Sequence, residues 1–351
     1  MKIISRKHAG NSCEVESSHH EGWPHVLMVS NHWGAQETII PYAGVFMDSQ
    51  LESLRKAGVK ISVFDIGTSH SPITFLGKWV SLRRKIKRLN PQLIHSQLGS
   101  IVAVLGAFAG GPFVVSFTGP DLLGGAPVSQ FRIIIGHFLS NIAALRASAI
   151  ICKSEGLRQA LWWRQKRAVV IPNGVDLHLF SPGAQREARK KLGWDLACPI
   201  IIIYVRDIPK SKGLDIAKAA LKIVHTCLPA VVLHVIANVP HDRMPLYYQG
   251  ADVLLCASKS EGSPNVVKEA LACNLPVVSV PVGDVSERLR GVLPSVVVPR
   301  DARCIGEALI AILRERKRSN GRDNVGHLAL EHVAQQVLDV YRLTLGIKMK
   351  K

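Results

Sequence analysis

The chain has 351 residues, of which 47 % are hydrophobic, so it can build two sizeable cores and is not a largely disordered protein. Its formal net charge of +18 favours an anionic partner, such as nucleic acid, anionic lipid headgroups or a phosphate-bearing substrate. The seven cysteines form no Cys-x-x-Cys pair and no zinc-type cluster with histidines, so we interpret Cys256 and Cys273 as small core residues in a reducing cytosol.

The amino-terminal residues 1–24 are predicted to form a disordered tail, followed by alternating strands and helices. The tail has basic side chains but no apolar core for a signal peptide, and no later apolar stretch is long and unbroken enough to span a membrane. Strands are predicted at 25–30, 59–64, 92–95, 113–117, 149–152 and 168–172, and a helix is predicted at 47–57. This rhythm predicts a doubly wound parallel sheet in a first domain, residues 25–180.

One basic segment of this domain, residues 78–89, combines two kinds of surface. Trp79, Leu82, Ile86 and Leu89 recur at helical spacing beneath a cationic face. Such a helix could lie at an anionic membrane surface, or it could be an ordinary solvated helix that packs its apolar stripe on the first domain, and the sequence leaves both open. Aromatic and basic residues are not interleaved in the way that stacks bases, so nucleic acid is not an expected partner.

The second half repeats the same rhythm after a hinge. Asn173 and Gly174 form a turn pair within residues 171–182, where we place the link between the domains. Strands are then predicted at 199–205, 231–236, 252–257 and 277–280, and helices at 214–225, 302–317 and 328–344. The predicted fold class is therefore α/β, with two Rossmann-like doubly wound parallel-sheet domains and a cleft between them. The second domain is placed at 181–330, and a last helix with a basic tail at 331–351.

One segment of the second domain has the spacing of a ligand site. Glu261 and Glu269, with seven residues between them, flank a predicted helix start in which Ser263 is the N-cap and Pro264 the first-turn residue. Glu261 then lies at the carboxyl end of a buried strand, where open α/β sheets bind ligands, and the helix start favours a diphosphate. Asn265 and Glu269 share one helix face and are expected to face the cleft, where a carboxylate suits sugar and ribose hydroxyls.

Two cations are expected to complete this site. Arg206 follows a predicted strand and Lys212 precedes a glycine and the next helix start, so both should face the cleft. A forked guanidinium and a compact ammonium could together hold a leaving diphosphate, although an isolated pair of this kind would more simply be two solvated loop charges. Asp284, with Glu287 three residues on, predicts a helix cap with a structural role.

Three side chains of the first domain also follow predicted strands at their carboxyl ends. His95, Thr118 and Asp121 are expected to face the same cleft from the acceptor side, as proton-handling or hydroxyl-binding groups. His95 could equally be a packed, hydrogen-bonded histidine of the core.

The motif Glu-Gly-Ser-Pro-Asn-Val-Val-Lys-Glu-Ala at 261–270 closely resembles the donor-binding segment of the retaining, family-4 type glycosyltransferases of GT-B architecture. It is most similar to the subgroup that contains the teichuronic acid biosynthesis glycosyltransferase. The Pro-Asn-Gly-Val-Asp segment at 172–176 resembles the family's interdomain link, so the resemblance spans both domains. In the family, a last helix crosses back to the first domain.

The resemblance implies roles for individual residues of the second domain. Glu261 would contact the transferred sugar and Glu269 the ribose. The turn formed by Ser263, Pro264 and Asn265 would shape the surroundings of the diphosphate.

The resemblance also implies how the diphosphate is neutralised. Arg206 and Lys212 would supply positive charge, and a glycine loop around Gly44 would let the backbone approach the phosphates. No cofactor and no obligatory metal ion are then expected, because fixed cations and helix dipoles stabilise the departing group. Two departures from the family are Thr118, where many members have histidine, and the compact segment 236–252.

These inferences predict a cytoplasmic enzyme, in one version peripheral on the inner face of the plasma membrane. It would move a sugar from a UDP- or GDP-sugar to a lipid-linked or polysaccharide precursor in cell-envelope or exopolysaccharide biosynthesis. Two alternatives stay open, namely a GT-B sugar-nucleotide epimerase or hydrolase and a catalytically impaired nucleotide-binding homologue. A dinucleotide dehydrogenase is disfavoured, because no Gly-x-Gly-x-x-Gly motif follows the first strand.

Overall fold

Two parallel sheets form the framework of the molecule. A computed structural model describes residues 23–31, 45–67, 72–124, 129–205 and 211–347. Within these ranges, the strands of the first sheet are β1 (His25–Ser30), β2 (Lys60–Asp65), β3 (Leu93–Ser96), β4 (Phe113–Phe117), β5 (Ala149–Cys152) and β6 (Ala168–Val170). Those of the second sheet are β7 (Ile200–Tyr204), β8 (Val232–Ile236), β9 (Val253–Cys256), β10 (Val277–Ser279) and β11 (Val296–Val297).

Helices connect these strands and cover the sheets. In the same ranges they are α1 (Val45–Lys56), α2 (Pro72–Leu89), α3 (Ser100–Ala107), α4 (Pro120–Leu123), α5 (Gln130–Arg146), α6 (Glu155–Gln159), α7 (Gln185–Leu192), α8 (Leu214–Cys227), α9 (Met244–Gly250), α10 (Asn265–Ala272), α11 (Val285–Arg288), α12 (Ala302–Glu315), α13 (Gly321–Val325) and α14 (Leu330–Leu345). None of the helices described has both the length and the apolar content that crossing a membrane requires.

The strand order of each sheet places its first strand inside the sheet. The order is β2-β1-β3-β4-β5-β6 in the first sheet and β11-β10-β9-β7-β8 in the second, and all neighbouring strands are parallel. In such doubly wound sheets the chain changes direction beside the first strand, and ligands bind there, outside the carboxyl ends of the strands. The predicted α/β class with two Rossmann-like sheets is confirmed.

The strand positions follow the apolar runs of the sequence. β1, β4 and β5 have the predicted bounds, and the other predicted strands agree to within about two residues. Every residue of β4 is buried, because helices cover both faces of a parallel sheet and its strands are therefore almost continuously apolar. β11 is missing from the prediction, since two partly buried residues make no readable pattern.

The first sheet has a core on each face. Leu27 and Val29 of β1 pack with α2, α3 and α5, whereas Val26 and Met28 pack with α1 and α14. The last helix therefore belongs to the core of the first sheet, where Tyr341 is fully buried. We call the first sheet with its helices, α14 included, the first lobe, and the second sheet with α7 to α13 the second lobe.

Two chain crossings between the lobes run side by side. Val175 N donates to the Leu328 carbonyl oxygen at 2.8 Å, and Leu330 N donates to the Val175 carbonyl oxygen at 3.2 Å. The first crossing contains the Asn-Gly turn of the predicted hinge, and the second leads into α14. A change in the angle between the lobes would therefore bend both crossings together.

The apolar stripe of α2 is part of the first-lobe core. Leu82 is fully buried, and Trp79, Ile86 and Leu89 pack against the same core cluster. The interfacial interpretation of residues 78–89 is therefore wrong for the apolar stripe, which faces the sheet and is not available to lipid. Contact between the cationic face and an anionic membrane stays a prediction.

Candidate active site

A cavity of about 560 Å³ lies between the lobes at the carboxyl ends of β4, β7 and β9. This volume is within the range of small-molecule sites. The residues that line it include Leu98, Thr118, Gly119, Pro120, Gly124, Asn173, Tyr204, Ser211, Lys212, Ser258, Glu261, Ser263, Pro264 and Asn265. Thr118 of the first lobe and Lys212, Glu261 and the turn before α10 of the second, all predicted from the sequence, therefore share one space.

Lys212 and Glu261 form an ion pair on the second-lobe wall of the cavity. Lys212 Nζ donates to Glu261 Oε1 at 2.5 Å, and both side chains remain partly exposed. The next residue, Gly213, has a φ of +80°, and a Cβ there would lie 2.2 Å from the carbonyl oxygen of Ala257. Because Gly213 has no side chain, the start of α8 can approach the end of β9 closely, which sets the ammonium beside the carboxylate.

The start of α8 adds positive potential to the same wall. Ser211 and Lys212 line the cavity just before this helix of 14 residues begins. The unpaired N–H groups and the macrodipole at a helix start favour an anion. The ammonium and the helix start can therefore hold a diphosphate together. Arg206, the second predicted cation, and Gly44, the predicted glycine of the phosphate loop, lie outside the described residues.

The two lobes meet backbone to backbone beside the cavity. A Cβ on Gly262 would lie 2.1 Å from the carbonyl oxygen of Thr118, so no side chain fits at this contact. Glu261 directly precedes this contact. The loop that presents Glu261 is therefore positioned by the first lobe as well as by the second.

Ser263 does not cap α10 as the sequence predicts. The helix begins at Asn265 with Pro264 at the cap, and no side chain bonds to its first amide groups. Ser263 Oγ instead donates to Asp284 Oδ2 at 2.9 Å and accepts from Lys268 Nζ at 3.0 Å. Two buried charged groups thus compete successfully for the hydroxyl, because either of them would cost more than a helix amide to leave unpaired.

This buried network ties the turn before α10 to the hinge. Lys268 Nζ also donates to the Asn173 carbonyl oxygen at 3.0 Å, and Arg288 Nε donates to Asp284 Oδ2 at 3.1 Å. Burial lowers the pKa of Lys268 to about 8, and the Asp284 carboxylate opposes this shift. The predicted cap formed by Asp284 and Glu287 is wrong, because the Asp284 side chain makes no capping hydrogen bond to α11 and belongs to this network.

Glu269 lies in a smaller cavity of about 130 Å³ next to the first. Its Oε1 accepts from His241 Nε2 at 3.0 Å, and its Oε2 accepts from Tyr248 Oη at 2.7 Å. Tyr204 and Asn265 line both cavities and so connect them. The second predicted glutamate is therefore set back from the main cavity, at a place suited to a different part of a ligand.

Sequence reasoning misses His241 and Tyr248. Both come from residues 236–252, the compact segment, which folds as a single 3₁₀ turn and α9 and still reaches Glu269. Burial and the adjacent carboxylate raise the pKa of Tyr248 well above its usual value, so the phenol stays protonated and donates. A histidine and a tyrosine in an irregular segment carry no spacing signal, and only their contact in space reveals them.

Asp121 holds the backbone of the first-lobe wall and is itself buried. Its carboxylate accepts from the N–H groups of Gly99 at 2.9 Å, Thr118 at 3.1 Å and Gly119 at 2.8 Å. Burial raises the pKa of Asp121, and these N–H groups oppose that shift. Both oxygens position Thr118 and Gly119, which gives Asp121 a structural task, and its predicted role as an acceptor-binding carboxylate stays a prediction.

His95 is a packed core histidine. Its Nδ1 lies 2.6 Å from Tyr341 Oη and its Nε2 lies 2.8 Å from Ser116 Oγ, and the side chain is fully buried. Burial and, to a smaller extent, the positive charge of Lys153 lower the pKa of His95 to about 3, so the ring is neutral near pH 7. The acceptor-side assignment is wrong, and the alternative of a core histidine is correct, because both ring nitrogens serve to join β3 and β4 to α14.

No group of three or more His, Cys, Asp or Glu side chains in the part of the chain that the structure describes is placed to hold a metal ion. Positive charge at the cavity is supplied there by Lys212 and by the start of α8.

Comparison with known proteins gives matches in both lobes. Residues 40–179 match the model described as Glycosyltransferase Family 4, and residues 233–315 match the model described as Glycosyl transferases group 1. The chain is 25 % identical to a protein of Bacillus subtilis (strain 168) that is named teichuronic acid biosynthesis glycosyltransferase TuaC. That match covers 77 % of this chain and 84 % of the relative.

Solved structures share the fold at low identity. Sucrose-phosphate synthase from Thermosynechococcus elongatus has a TM-score of 0.74 at 19 % identity, over 93 % of this chain and 100 % of that one. Anabaena Alr3699/HepE in complex with UDP and glucose has a TM-score of 0.69 at 16 % identity, over 91 % and 100 % of the two chains.

Two doubly wound lobes that face each other across such a cavity define the GT-B class of glycosyltransferases. The chain is a glycosyltransferase, whose first lobe matches the Glycosyltransferase Family 4 model and whose second lobe matches the group 1 model.

Proposed function

We propose that this enzyme moves a sugar from a UDP- or GDP-sugar to a lipid-linked or polysaccharide precursor in cell-envelope or exopolysaccharide biosynthesis, with retention of the anomeric configuration. The observation that carries the proposal is the Lys212–Glu261 pair at the start of α8, on the wall of a cavity between two lobes. Two similarities support it: the Anabaena neighbour binds UDP and glucose, and the Bacillus relative is named for teichuronic acid biosynthesis.

The binding step starts from the charge of the donor. A nucleotide sugar carries its negative charge on the diphosphate, which fits beside the Lys212 ammonium and the N–H groups at the start of α8. Arg206 is proposed to add a second cation from the segment after β7. A diphosphate that takes over the ammonium frees Glu261 to accept hydrogen bonds from hydroxyl groups of the sugar.

In the transfer step, the bond between the anomeric carbon and a diphosphate oxygen breaks, and its electron pair stays on the diphosphate. The acceptor hydroxyl attacks from the face that the diphosphate leaves, and its proton passes to a diphosphate oxygen. Lys212 and the start of α8 stabilise the charge that grows on the leaving group, so they act more strongly in the transition state than in the ground state. Because fixed cations supply this stabilisation, the reaction is proposed to need no metal ion.

The ribose of the donor is proposed to bind at Glu269. A carboxylate has about four lone-pair sites, so the hydrogen bonds from His241 and Tyr248 leave capacity for ribose hydroxyls. These two side chains also fix the orientation of the carboxylate. Asn265 lines both cavities, and the diphosphate is proposed to lie near it, between the sugar and the ribose.

The acceptor is proposed to enter from the first-lobe side of the cavity. Thr118 and Gly119 line this side, and Asp121 holds their backbone in place. A lipid-linked precursor would reach an enzyme that works in the cytoplasm at the inner face of the membrane.

A turnover assay with UDP-, GDP- and ADP-sugars in the presence of EDTA tests the proposal. We expect transfer from a UDP- or GDP-sugar to a lipid-linked or polysaccharide acceptor, an unchanged anomeric configuration in the product by NMR, and about 10²-fold slower transfer by Glu261→Ala. Undiminished transfer by this variant would contradict the assigned site. Release of free sugar without an acceptor would favour an epimerase or hydrolase, and tight nucleotide binding without turnover would favour an impaired homologue.

A further inference from the structure

An apolar surface lies exposed on α5 of the first lobe. Phe131, Ile134, Ile135 and Phe138 have exposed fractions between 41 % and 71 %, and Trp162, in the turn after α6, is 48 % exposed. Contiguous exposed surface of this kind marks an interaction site. The α5 surface, as we call it, consists of Phe131, Ile134, Ile135, Phe138, Trp162 and Trp163.

The large apolar side chains of α5 lie mainly on its exposed face, unlike those of an ordinary surface helix. Such a helix turns large apolar side chains towards the core and charged side chains towards water. The inward face of α5 instead has small residues, Ser140, Ala143 and Ala144, which are buried on the side that meets α3. Four large apolar residues of α5, namely Phe131, Ile134, Ile135 and Phe138, lie opposite, within an arc of about 100°. The helix thus packs on the first lobe through its small residues and Ile133, and it leaves the large apolar side chains of the opposite face largely exposed.

The turn that carries both tryptophans is fastened to α5. Trp162 N donates to Asn141 Oδ1 at 2.8 Å, and the Trp162 ring centroid lies 5.0 Å from that of His137. Arg164 donates to the Ala144 carbonyl oxygen at 2.7 Å, at the carboxyl end of the helix. The aromatic rings are therefore held in place by the protein before any partner arrives, which lowers the entropy cost of binding.

The two sequence segments that form the α5 surface carry only positive formal charges. No Asp or Glu occurs in α5 or between residues 156 and 175. Arg132, Lys166 and Arg167 are exposed and flank the apolar residues in the sequence. Tryptophan side chains favour the headgroup level of a bilayer, and neighbouring Lys and Arg bind anionic headgroups. A second copy of the same surface would instead bring like charges together.

The amino-terminal end of α5 lies beside the cavity of the active site. Gly124 lines that cavity, and the side chain of Ile133, in the first turn of α5, packs directly on Gly124. Ile133 is not part of the α5 surface, so this contact places the start of the helix, and not its exposed face, next to the cleft.

We propose that the α5 surface docks this enzyme on an anionic lipid bilayer, with Trp162 and Trp163 at headgroup level and the exposed face of α5 against the outer part of the acyl chains. This inference goes beyond the proposed function, and its test uses neither donor nor acceptor. A failure of docking would leave the transfer reaction intact, and a failure of transfer would leave docking intact.

Co-sedimentation of the full chain with vesicles tests the docking surface. We expect binding to vesicles of phosphatidylcholine with phosphatidylglycerol, weaker binding at high salt, and little binding to phosphatidylcholine alone. The triple variant Phe131→Ser/Ile134→Ser/Phe138→Ser should reduce the partition coefficient at least about tenfold, because three apolar side chains no longer enter the bilayer. Tryptophan emission should shift to the blue on binding, and Trp162→Phe/Trp163→Phe should abolish that shift.

Two control variants distinguish binding through the α5 surface from non-specific binding through other exposed apolar side chains. Leu293→Ser and Leu343→Ser remove side chains that are 73 % and 83 % exposed elsewhere on the molecule, and they should bind vesicles as the wild type does. Circular dichroism and the thermal midpoint should show that the triple variant is folded. Full vesicle binding by the folded triple variant would overturn the proposal.

The cationic face of α2 and self-association are the competing explanations. Arg84→Glu/Lys87→Glu/Arg88→Glu reverses the charge of the exposed face of α2, and we expect it to retain most of the binding. If this variant loses vesicle binding while the α5 triple variant keeps it, α2 is the docking element. Sedimentation velocity without vesicles should give a monomer, and a dimer that dissociates in the α5 triple variant would assign the surface to a second copy of the chain.

Discussion

The two walls of the cleft are built on the same kind of sheet, but their polar side chains serve different purposes. On the second-lobe wall, Lys212 and Glu261 pair with each other and keep part of their surface open to the cavity. On the first-lobe wall, His95 and Asp121 lie near the carboxyl ends of β3 and β4, yet both are buried and bind only other groups of the protein.

The difference lies in whether a side chain can exchange its partner for a ligand. An ion pair between partly exposed groups contributes roughly 0–1 kcal/mol, so a diphosphate can replace Glu261 at the Lys212 ammonium. Release of the Asp121 carboxylate would leave buried N–H groups unpaired, at about 1–3 kcal/mol each. Under the proposed function, the second lobe would supply the chemistry, and the first lobe would supply a rigid wall for the acceptor.

Removal of the Lys212 charge should have the largest effect. Lys212→Met takes away a cation aimed at the departing diphosphate, so kcat should fall by about 10²–10³ while the fold is unchanged. Steady-state kinetics with the preferred donor measures this. The matched control is Lys259→Met, an exposed lysine outside the cavity, which should keep the wild-type rate. If the kcat of Lys212→Met is within about threefold of the wild-type value, the second-lobe wall does not stabilise the leaving diphosphate.

Asp121→Asn should lower stability, because an amide group presents N–H towards backbone N–H groups. We expect the free energy of unfolding to fall by about 2–3 kcal/mol in denaturant titrations. Asp215→Asn changes an exposed carboxylate and should leave the free energy of unfolding nearly unaltered. If Asp121→Asn is as stable as the wild type but inactive, Asp121 on the first-lobe wall takes part in the reaction.

Gly262→Ala tests the contact between the walls. The new Cβ would lie 2.1 Å from the Thr118 carbonyl oxygen, so the lobes must move apart and the Glu261 loop with them. A displacement of this size should reduce kcat/KM at least about tenfold. Gly156→Ala adds a Cβ where nothing lies within 4 Å and serves as the control. Equal activity of both variants would mean that the contact is not needed for transfer.

Replacement of Lys153 should change the free energy of unfolding by a small amount that depends on pH. It is fully buried and has no hydrogen-bond partner among the described residues, and burial, followed by the charge of Lys268, lowers its pKa from 10.5 to about 7. The unfolded chain therefore binds more protons than the folded one between these values, and folding becomes less favourable as the pH falls from about 10.5 to about 7. Lys153→Met should gain roughly 1–2 kcal/mol of unfolding free energy near pH 7.

Denaturant titrations near pH 7 and near pH 10 measure this difference. The advantage of Lys153→Met over the wild type should shrink towards pH 10, where the lysine is neutral in both states to a larger extent. A difference that does not change with pH would place its cause in packing and not in the buried charge.

Most of the fold could be predicted from the sequence because its information is local. A strand such as β4 that is buried on both faces is a continuous apolar run, and helix ends are marked by glycine or asparagine, as with Gly58 after α1 and Asn274 after α10. The two-residue strand β11 has too little pattern to be read. Whether the apolar face of an amphipathic helix packs on a core or meets a membrane also depends on distant parts of the chain. The sequence therefore leaves both open for α2, and the structure shows that its apolar stripe packs on the sheet.

The sequence predicts which residues lie at the carboxyl ends of the strands, and so near the cleft. It does not predict which of these side chains face the cleft. The ends of β7 and β9 place Lys212 and Glu261 at the cleft, and both line it. The same rule fails for His95 and Asp121, because being near a strand end does not decide whether a side chain turns to the ligand or back into the protein. The prediction of Ser263 as a helix cap fails for a related reason. Its hydroxyl donates to Asp284, which is distant in the sequence, and helix-capping rules consider only nearby residues.

Calorimetric titration of the protein with UDP and GDP in the presence of EDTA tests the proposed cleft chemistry most directly. We predict that one of the nucleotides binds without metal, that Lys212→Met weakens this binding about tenfold, and that Lys259→Met does not change it. If neither nucleotide binds, or if Lys212→Met binds as tightly as the wild type, the wall formed by Lys212 and Glu261 is not the diphosphate site.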